Sequence, residues 1–558
     1  MLLDAVLGQF LEQSPMTVAV RSTLEYALDA DALNALFDQT AGPRQDRQLL
    51  FSTCVDLMTT VVCRIKPSIH AAYQADDHIG VSASAVYRRL ARVSTNAGEQ
   101  LVRHTAKGLE PIIRQTGWAN PDVLPGYRVK VLDGNHLAHT QRRIKRLRNV
   151  IAGPLPGHSL VVLDPALGLA LDVVCCEDAH AQERTLLGPI LDTVAPRDVW
   201  VADRYFCPTG LLFGIAKRKG FFVIRRHATT LTWERESEWK QVGRTDTGTL
   251  AEQTIWLQNP DGTELAVRRV RLTLDEPTED GDLVIELLTN LPAEVTCVLV
   301  AKLYRRRWTV EALFGRLTTV LKCEVHTLGY PPAALFGFCV AWASSNVYAG
   351  VKGALRSAHG VAVTERVSDY HLALEVSSVS RGLAIAVSEQ TWLEIGGWSV
   401  ERMSQWLVSL AERTKLSRYP KAKRGPKKPK TRRTRFADKT HIATSRLLND
   451  ERTGRSERDG RVPPSGYQLP DRWEVIPFIR APVLRLPLRR LGALDGDTLQ
   501  GRLDQPHIGS VGPGHLQTHR HPTAVGQNRP LGADLGPIRG VLARLFSPRG
   551  ALQQNCLC

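Results

Sequence analysis

The sequence predicts an α/β fold, a strand-and-helix core between a helical N-terminal part and a basic C-terminal tail. Three observations carry that expectation. Apolar residues recur at helical spacing over about the first 110 positions, then switch at Tyr127 to short strand-like runs. Those runs come in the order strand, hairpin, strand, helix, strand, which is the order of a ribonuclease-H-like core. The formal charge of +16 sits at one end: residues 415–558 hold 28 Lys/Arg against 11 Asp/Glu, leaving residues 1–414 at −1.

At the N-terminus, DALNALFD and LLFSTCVDLMTTVVCRI are apolar at i, i+3, i+4, i+7 and read as helices. HIGVSASAVYRRLARVSTNAGEQLVRH follows. Ser82 or Ser84 can cap a helix that displays Arg88, Arg89 and Arg92, with Gly80 in the preceding turn. That is the outline of a helix-turn-helix DNA-reading element, although a three-helix bundle with a polar surface helix has the same pattern.

In the core, YRVKVLDGNHL is expected to be a strand stopping at Asp133 and a Gly-Asn turn. SLVVLDPALGLALDVVCCED reads as a hairpin turning at Asp-Pro-Ala-Leu-Gly. DVWVADRYF is a strand stopping at Asp203, TGLLFGIAKRKG a helix, and FFVIRRH another strand. Residues 228–297 then alternate like an inserted β subdomain, and a long amphipathic helix is expected from Thr296 past Lys322. The resulting division is a helical DNA-binding segment 1–120, a catalytic core 121–345 containing the β insertion 228–297, a helical region 346–414, a basic arm 415–450 and a tail 451–558.

The arm, KLSRYPKAKRGPKKPKTRRTRF with Lys427 and Lys428, reads as a flexible segment able to track phosphates; a solvated tail is the plainer alternative. Residues 451–558 contain no lysine, and 26 of these 108 positions are Gly or Pro, so disorder or read-through past an ancestral stop is expected there. His515, His519 and His521 in that tail are read as incidental. No run of about 18 apolar residues points to a membrane span, and MLLDAVLGQFLEQSP lacks the features of a signal peptide. Ten cysteines without a CxxC pair argue against a zinc site and fit a reducing, cytoplasmic setting.

Two strands thus end in an aspartate at the edge where α/β sheets place ligands, though such a residue is more often a turn former. On the helix, YRRRWTVEALFGRLTTVLK places Tyr304, Arg307 and Glu311 within an arc of about 60° at about 100° per residue. A plain i, i+4 ion pair accounts for Arg307 and Glu311 equally well. Trp308 is expected to be packed, and His136 to be an ordinary surface residue.

LDGNH, VADRYF, TNLP and YRRRWTVEALF together resemble the DDE transposases of bacterial insertion sequences. The resemblance is closest to the group with a Y-x2-R-x3-E-x6-K signature, the insertion-sequence-four type. The 70- and 108-residue gaps between Asp133, Asp203 and Glu311, TLGYPPAALFGFCVAW after the helix, and HIATSRLL extend it over roughly residues 75–450. One departure is plain: Thr318 stands at the signature lysine, with Lys322 one turn further on and able to take over a phosphate contact. The resemblance implies a ribonuclease-H-like fold with a β insertion. It implies metal-dependent cleavage at element ends followed by strand transfer, on double-stranded DNA with terminal inverted repeats and in a homodimer. Asp133, Asp203 and Glu311 would seat two Mg²⁺ ions, with Mn²⁺ able to substitute, and Tyr304 and Arg307 would contact the end phosphate. The alternative is a catalytically impaired, transposase-derived DNA-binding protein, for which Thr318 and the abnormal tail speak.

Overall fold

The computed structural model describes residues 5–41, 49–117, 124–150, 152–227, 231–278, 281–422 and 441–453. All of them belong to one compact unit. Lys427, Lys428 and the chain from 454 onward, including the three tail histidines, lie outside the described residues.

The strands are β1 (Arg128–His136), β2 (Gly153–Leu155), β3 (His158–Asp164), β4 (Leu169–Cys176), β5 (Asp198–Ala202), β6 (Phe221–Arg225), β7 (Arg235–Glu236), β8 (Lys240–Thr245), β9 (Gly248–Gln258), β10 (Glu264–Leu274), β11 (Val284–Thr289) and β12 (His441–Ala443). Ten of them form one sheet in the order β4-β3-β1-β5-β6-β11-β10-β9-β7, with β8 on β9, while β12 pairs only with β2. β1, β5 and β6 run parallel, β3 antiparallel to β1, and β4 antiparallel to β3. The hairpin turns where expected: Asp164 Oδ1 accepts from the Ala166 and Leu167 amides, and Gly168 takes φ +74°.

The 228–297 region differs from a separate β subdomain. β11 pairs antiparallel with β6, so its strands continue the main sheet and use the edge of β6 that would otherwise stay unpaired. β1 also runs beyond Asp133 to His136, because Gly134, Asn135 and His136 keep pairing with β3 instead of turning.

Side chains alternate across the core strands. Val131, Val161, Val199, Val201 and Val223 enter the larger hydrophobic core, whereas Leu132, Leu160, Trp200, Ala202, Phe222 and Ile224 enter a smaller one on the opposite face. Lys130 is buried and is held by Asp198 Oδ2 at 2.7 Å and the Thr193 carbonyl at 3.0 Å, over the Trp200 ring. The larger face is covered by the helices Thr95–Gln115 and Pro331–His359. Pro331–His359 is long and apolar enough to cross a membrane, but it is almost entirely buried as the central core helix. Because it is a single element, the expected boundary at 345 falls inside it.

Ser82 caps the helix Ala83–Leu90, and Ser94 caps Thr95–Gln115 after a short turn. Arg88 and Arg92 are exposed, but Arg89 is 8% exposed and lies over the Phe37 ring, so it is not part of the displayed face.

The expected single helix from Thr296 past Lys322 is two: Cys297–Arg305, capped by Thr296, and Trp308–Thr319. Beyond the second, Arg64 (φ 61°) at the end of the helix Phe51–Val62 donates to the carbonyls of Thr318, Val320 and Leu321. A cation on these C-terminal carbonyls suits the helix dipole and fixes where the helix ends.

Candidate active site

The parallel pairing of β1 and β5 matches Leu132 with Ala202. Asp133 and Asp203, each one residue further along, therefore stand side by side at the C-terminal edge of the sheet. Because Val131 and Val201 face the larger core, alternation places both carboxylates on that face, which the helix Trp308–Thr319 also covers. The helix brings Arg307, at its N-terminal boundary, over the pair. Arg307 Nη1 lies 2.5 Å from Glu311 Oε1 and 3.8 Å from Asp133 Oδ2. Asp133 Oδ1 also accepts from the Gly134 amide, and Asp203 Oδ1 from that of Tyr205, capping the turn Arg204–Phe206.

The electrostatics are those of too much negative charge in too little water. Burial, reinforced by Asp203 and Glu311 and opposed by Arg307, pushes the Asp133 carboxyl up to about 7. Burial also raises Asp203, against the pull of the Tyr205 amide and Arg307. Tyr304 is buried beside Arg307, and burial raises its phenol. Burial works against the charge on Arg307, but Tyr304, Glu311 and Asp133 outweigh it and raise its basicity.

The structure thus brings together Asp133, Asp203, Tyr304, Arg307 and Glu311. It does not bring in Lys322, which lies past the end of the helix: its Nζ donates to the Pro67 carbonyl at 2.7 Å and its amide to Val62. Thr318 is exposed and donates to the Gly315 carbonyl. Arg88 lies in the helix Ala83–Leu90 and Arg92 in the turn that follows it, within the N-terminal helical segment. Trp308, expected to be packed, is 60% exposed with Arg307 against its ring, because the helix begins there and turns it outward.

Two features had no clear sequence signal. Glu183 approaches the same edge; burial and the Asp203 charge push its carboxyl up to about 7. The continued sheet carries an arginine–tryptophan ladder: Arg271 over Trp239, Arg235 over Trp256, and Arg269 between Trp233 and Trp239. Such a surface suits stacking and phosphate contact, although Glu286 already neutralises part of it by binding Arg226, Arg269 and Arg271.

Among the described residues, no three His, Cys, Asp or Glu side chains stand close enough together to hold a metal ion. Glu311 is paired instead with the Arg307 guanidinium. The donor set still suits a hard divalent ion: it is made of carboxylate oxygens whose crowding raises Asp133 and Asp203, a strain that a cation would relieve.

Fold and site define an α/β protein with a carboxylate cluster at the edge of a mixed sheet. Residues 126–328, which hold that cluster, match the family model for the transposase DDE domain. The match supports a DDE transposase, a class that acts in transposition and DNA recombination. A cryo-EM structure of a piggyBac transposase synaptic complex with hairpin DNA is similar at 12% identity and a TM-score of 0.30, over 68% of this chain and 74% of that one. At that score the likeness bears on neither fold nor function. No curated protein matches the chain significantly.

Proposed function

We propose that this protein is a cut-and-paste transposase of the insertion-sequence-four type, which cleaves DNA at the ends of its element and joins the freed end to target DNA. The observation that carries the reading is the register of β1 on β5, which sets Asp133 beside Asp203 under the helix bearing Arg307 and Glu311. The strand order β4-β3-β1-β5-β6, with only β3 antiparallel to its central neighbour β1, supports a ribonuclease-H-like core.

Asp133, Asp203 and Glu311 would hold Mg²⁺, two ions in all, with Mn²⁺ as a substitute. When bound, such ions offset charge on the attacking and leaving oxygens of a phosphodiester. Arg307 binds the end phosphate, for which its forked guanidinium suits two parallel hydrogen bonds. Moving to that phosphate releases Glu311 from its ion pair. Tyr304, packed against Arg307, fixes the direction in which the guanidinium points. Arg88 and Arg92 read or track duplex DNA from the N-terminal helices, and Lys427 and Lys428 contact phosphates from the basic arm. Pairing of two ends makes the working form a homodimer on DNA, in the bacterial cytoplasm.

A catalytically impaired DNA-binding protein is the second reading. It is favoured by the exposed Thr318 at the signature position and by Lys322 being committed to Pro67. An excision assay in cells, with the gene and its native flanks bracketing a marker, separates the two. Excision by wild type and none by Asp203→Ala supports the transposase. No excision from either, with end binding retained in a gel shift, overturns it for the second reading.

A further inference from the structure

The helix Trp308–Thr319 has a second face, which the reaction at Asp133 and Asp203 does not use. Leu313, Arg316 and Leu317 on that face line a cavity of about 100 Å³. The core helix Pro331–His359 contributes Tyr348, Lys352 and Arg356 to it, and the hairpin turn after β3 contributes Pro165 and Leu167. Because β3 runs antiparallel to β1, that turn lies toward the start of β1, away from Asp133. None of Asp133, Asp203, Arg307 and Glu311 lines the cavity.

Its charges do not balance. Arg316, Lys352 and Arg356 line it against a single carboxylate, Asp369. Asp369 Oδ2 takes Arg316 Nη1 at 3.2 Å, and its Oδ1 takes Lys352 Nζ. Among the described residues the Arg356 guanidinium has no hydrogen bond or ion pair; Glu365, the other acid that favours its charge, is exposed and does not reach it. The surplus tells on the cations themselves. Burial holds the Lys352 ammonium down to about 8 against the pull of Asp369, and Arg316 and Arg356 add to the loss. Burial and Arg316 lower Arg356 in the same way.

The uncharged lining points in the same direction. Tyr348 is 8% exposed, and its hydroxyl has no hydrogen-bond partner among the described residues. The buried Nε of Arg316 has none either. Buried donors without acceptors are costly, and here they stand around uncompensated positive charge. The group that satisfies both is an oxyanion, and the volume admits a single tetrahedral one but not a nucleoside.

We infer that this cavity binds a phosphate group, with Arg316, Lys352 and Arg356 holding its oxygens and the Tyr348 hydroxyl donating to one of them. The phosphate is either the free ion or one from a DNA backbone laid against Arg316, whose side chain is 41% exposed. The inference stands apart from the transposase reading, since it uses none of the carboxylate site. Its consequence is mechanical: a bound phosphate ties the helix that bears Glu311 to the core helix at a point well past Arg307.

The test is equilibrium dialysis of the full chain against radiolabelled inorganic phosphate, at an ionic strength held constant with chloride, for wild type, Arg356→Met and Tyr348→Phe. Neither substitution removes a side-chain hydrogen bond or ion pair among the described residues, so both variants should melt with wild type in chloride alone. Wild type should take up one phosphate per chain, saturably. Arg356→Met should weaken that binding about tenfold or more, and Tyr348→Phe about three- to tenfold. Adding a short DNA duplex separates the two sources. Phosphate displaced by the duplex, with duplex binding weakened in Arg356→Met, assigns the site to the DNA backbone; phosphate left in place assigns it to the free ion. Wild type that takes up no phosphate, or uptake undiminished in either variant, overturns the inference.

Discussion

Replacing Asp133 by Asn should make the metal-free protein more stable and catalytically dead. The Asp133 carboxyl is pushed from its ordinary 3.8 up to about 7 by burial and by the charges of Asp203 and Glu311, with Arg307 offsetting only part. A folded state that holds the proton more tightly than the unfolded chain is favoured below pH 4, and that contribution is lost as pH rises toward 7. At about 1.4 kcal/mol per pH unit, the gap sets a ceiling of about 4 kcal/mol on what ionised Asp133 costs at pH 8. Residual hydration lowers that, and a gain of about 1–2 kcal/mol for Asp133→Asn is the working expectation. The amide oxygen can still accept from Gly134, and Arg307 keeps Glu311, so little else is lost. Urea unfolding in EDTA at pH 4.5 and pH 8 measures it: the variant's advantage should be present at pH 8 and mostly vanish at pH 4.5. Equal stability at pH 8, or an advantage that grows toward acid, would refute the picture of crowded carboxylates.

Other substitutions probe the scaffold. Asp198→Ala strands the buried Lys130 charge and should cost about 3–5 kcal/mol in urea unfolding, most of it recovered by pairing Asp198→Leu with Lys130→Met; a loss under about 1 kcal/mol would contradict a buried ion pair. Lys322→Ala removes a bond to the Pro67 carbonyl and should cost about 1 kcal/mol in the same melt while end binding and cleavage stay unchanged; lost cleavage would return Lys322 to the site. Arg88→Ala with Arg92→Ala should weaken DNA binding and flatten its salt dependence by roughly two phosphate contacts, read by gel shift across a salt series. Arg89→Ala, by contrast, should lower the melting temperature and leave the salt slope alone, because that side chain is buried on Phe37.

The parts legible in the sequence are those set by short-range pattern. The hairpin at Asp164–Gly168 is marked by turn residues between two apolar runs, and the aspartates at 133 and 203 by an acid directly after an apolar run, although β1 itself continues to His136. What the pattern could not carry is pairing over long sequence distance. Nothing in residues 228–297 says that β11 will meet β6, because antiparallel alternation looks the same in a free-standing subdomain and in a continued sheet. The place of Glu183 is illegible in the sequence for a similar reason. It sits in a polar stretch without periodicity, and its only sequence trace is the need for a glycine at 134, which becomes a signal once the two are known to touch.

Lys322 shows where helical phase stops being informative. One more turn of an unbroken helix would bring it onto the face of Glu311, but the helix restarts at Trp308 and ends at Thr319, where Arg64 takes the terminal carbonyls. The chain then leaves the sheet edge and ties Lys322 to the N-terminal helices. Arg307 and Glu311 escape that failure because they are one turn apart within the same short element, and Asp133 and Asp203 because a parallel register sets them level. The site is therefore assembled from two local geometries, one turn of helix and one strand pair, held together by the larger core. Each of these tolerates breaks elsewhere in the chain, which is why a shifted lysine leaves the carboxylate cluster in place.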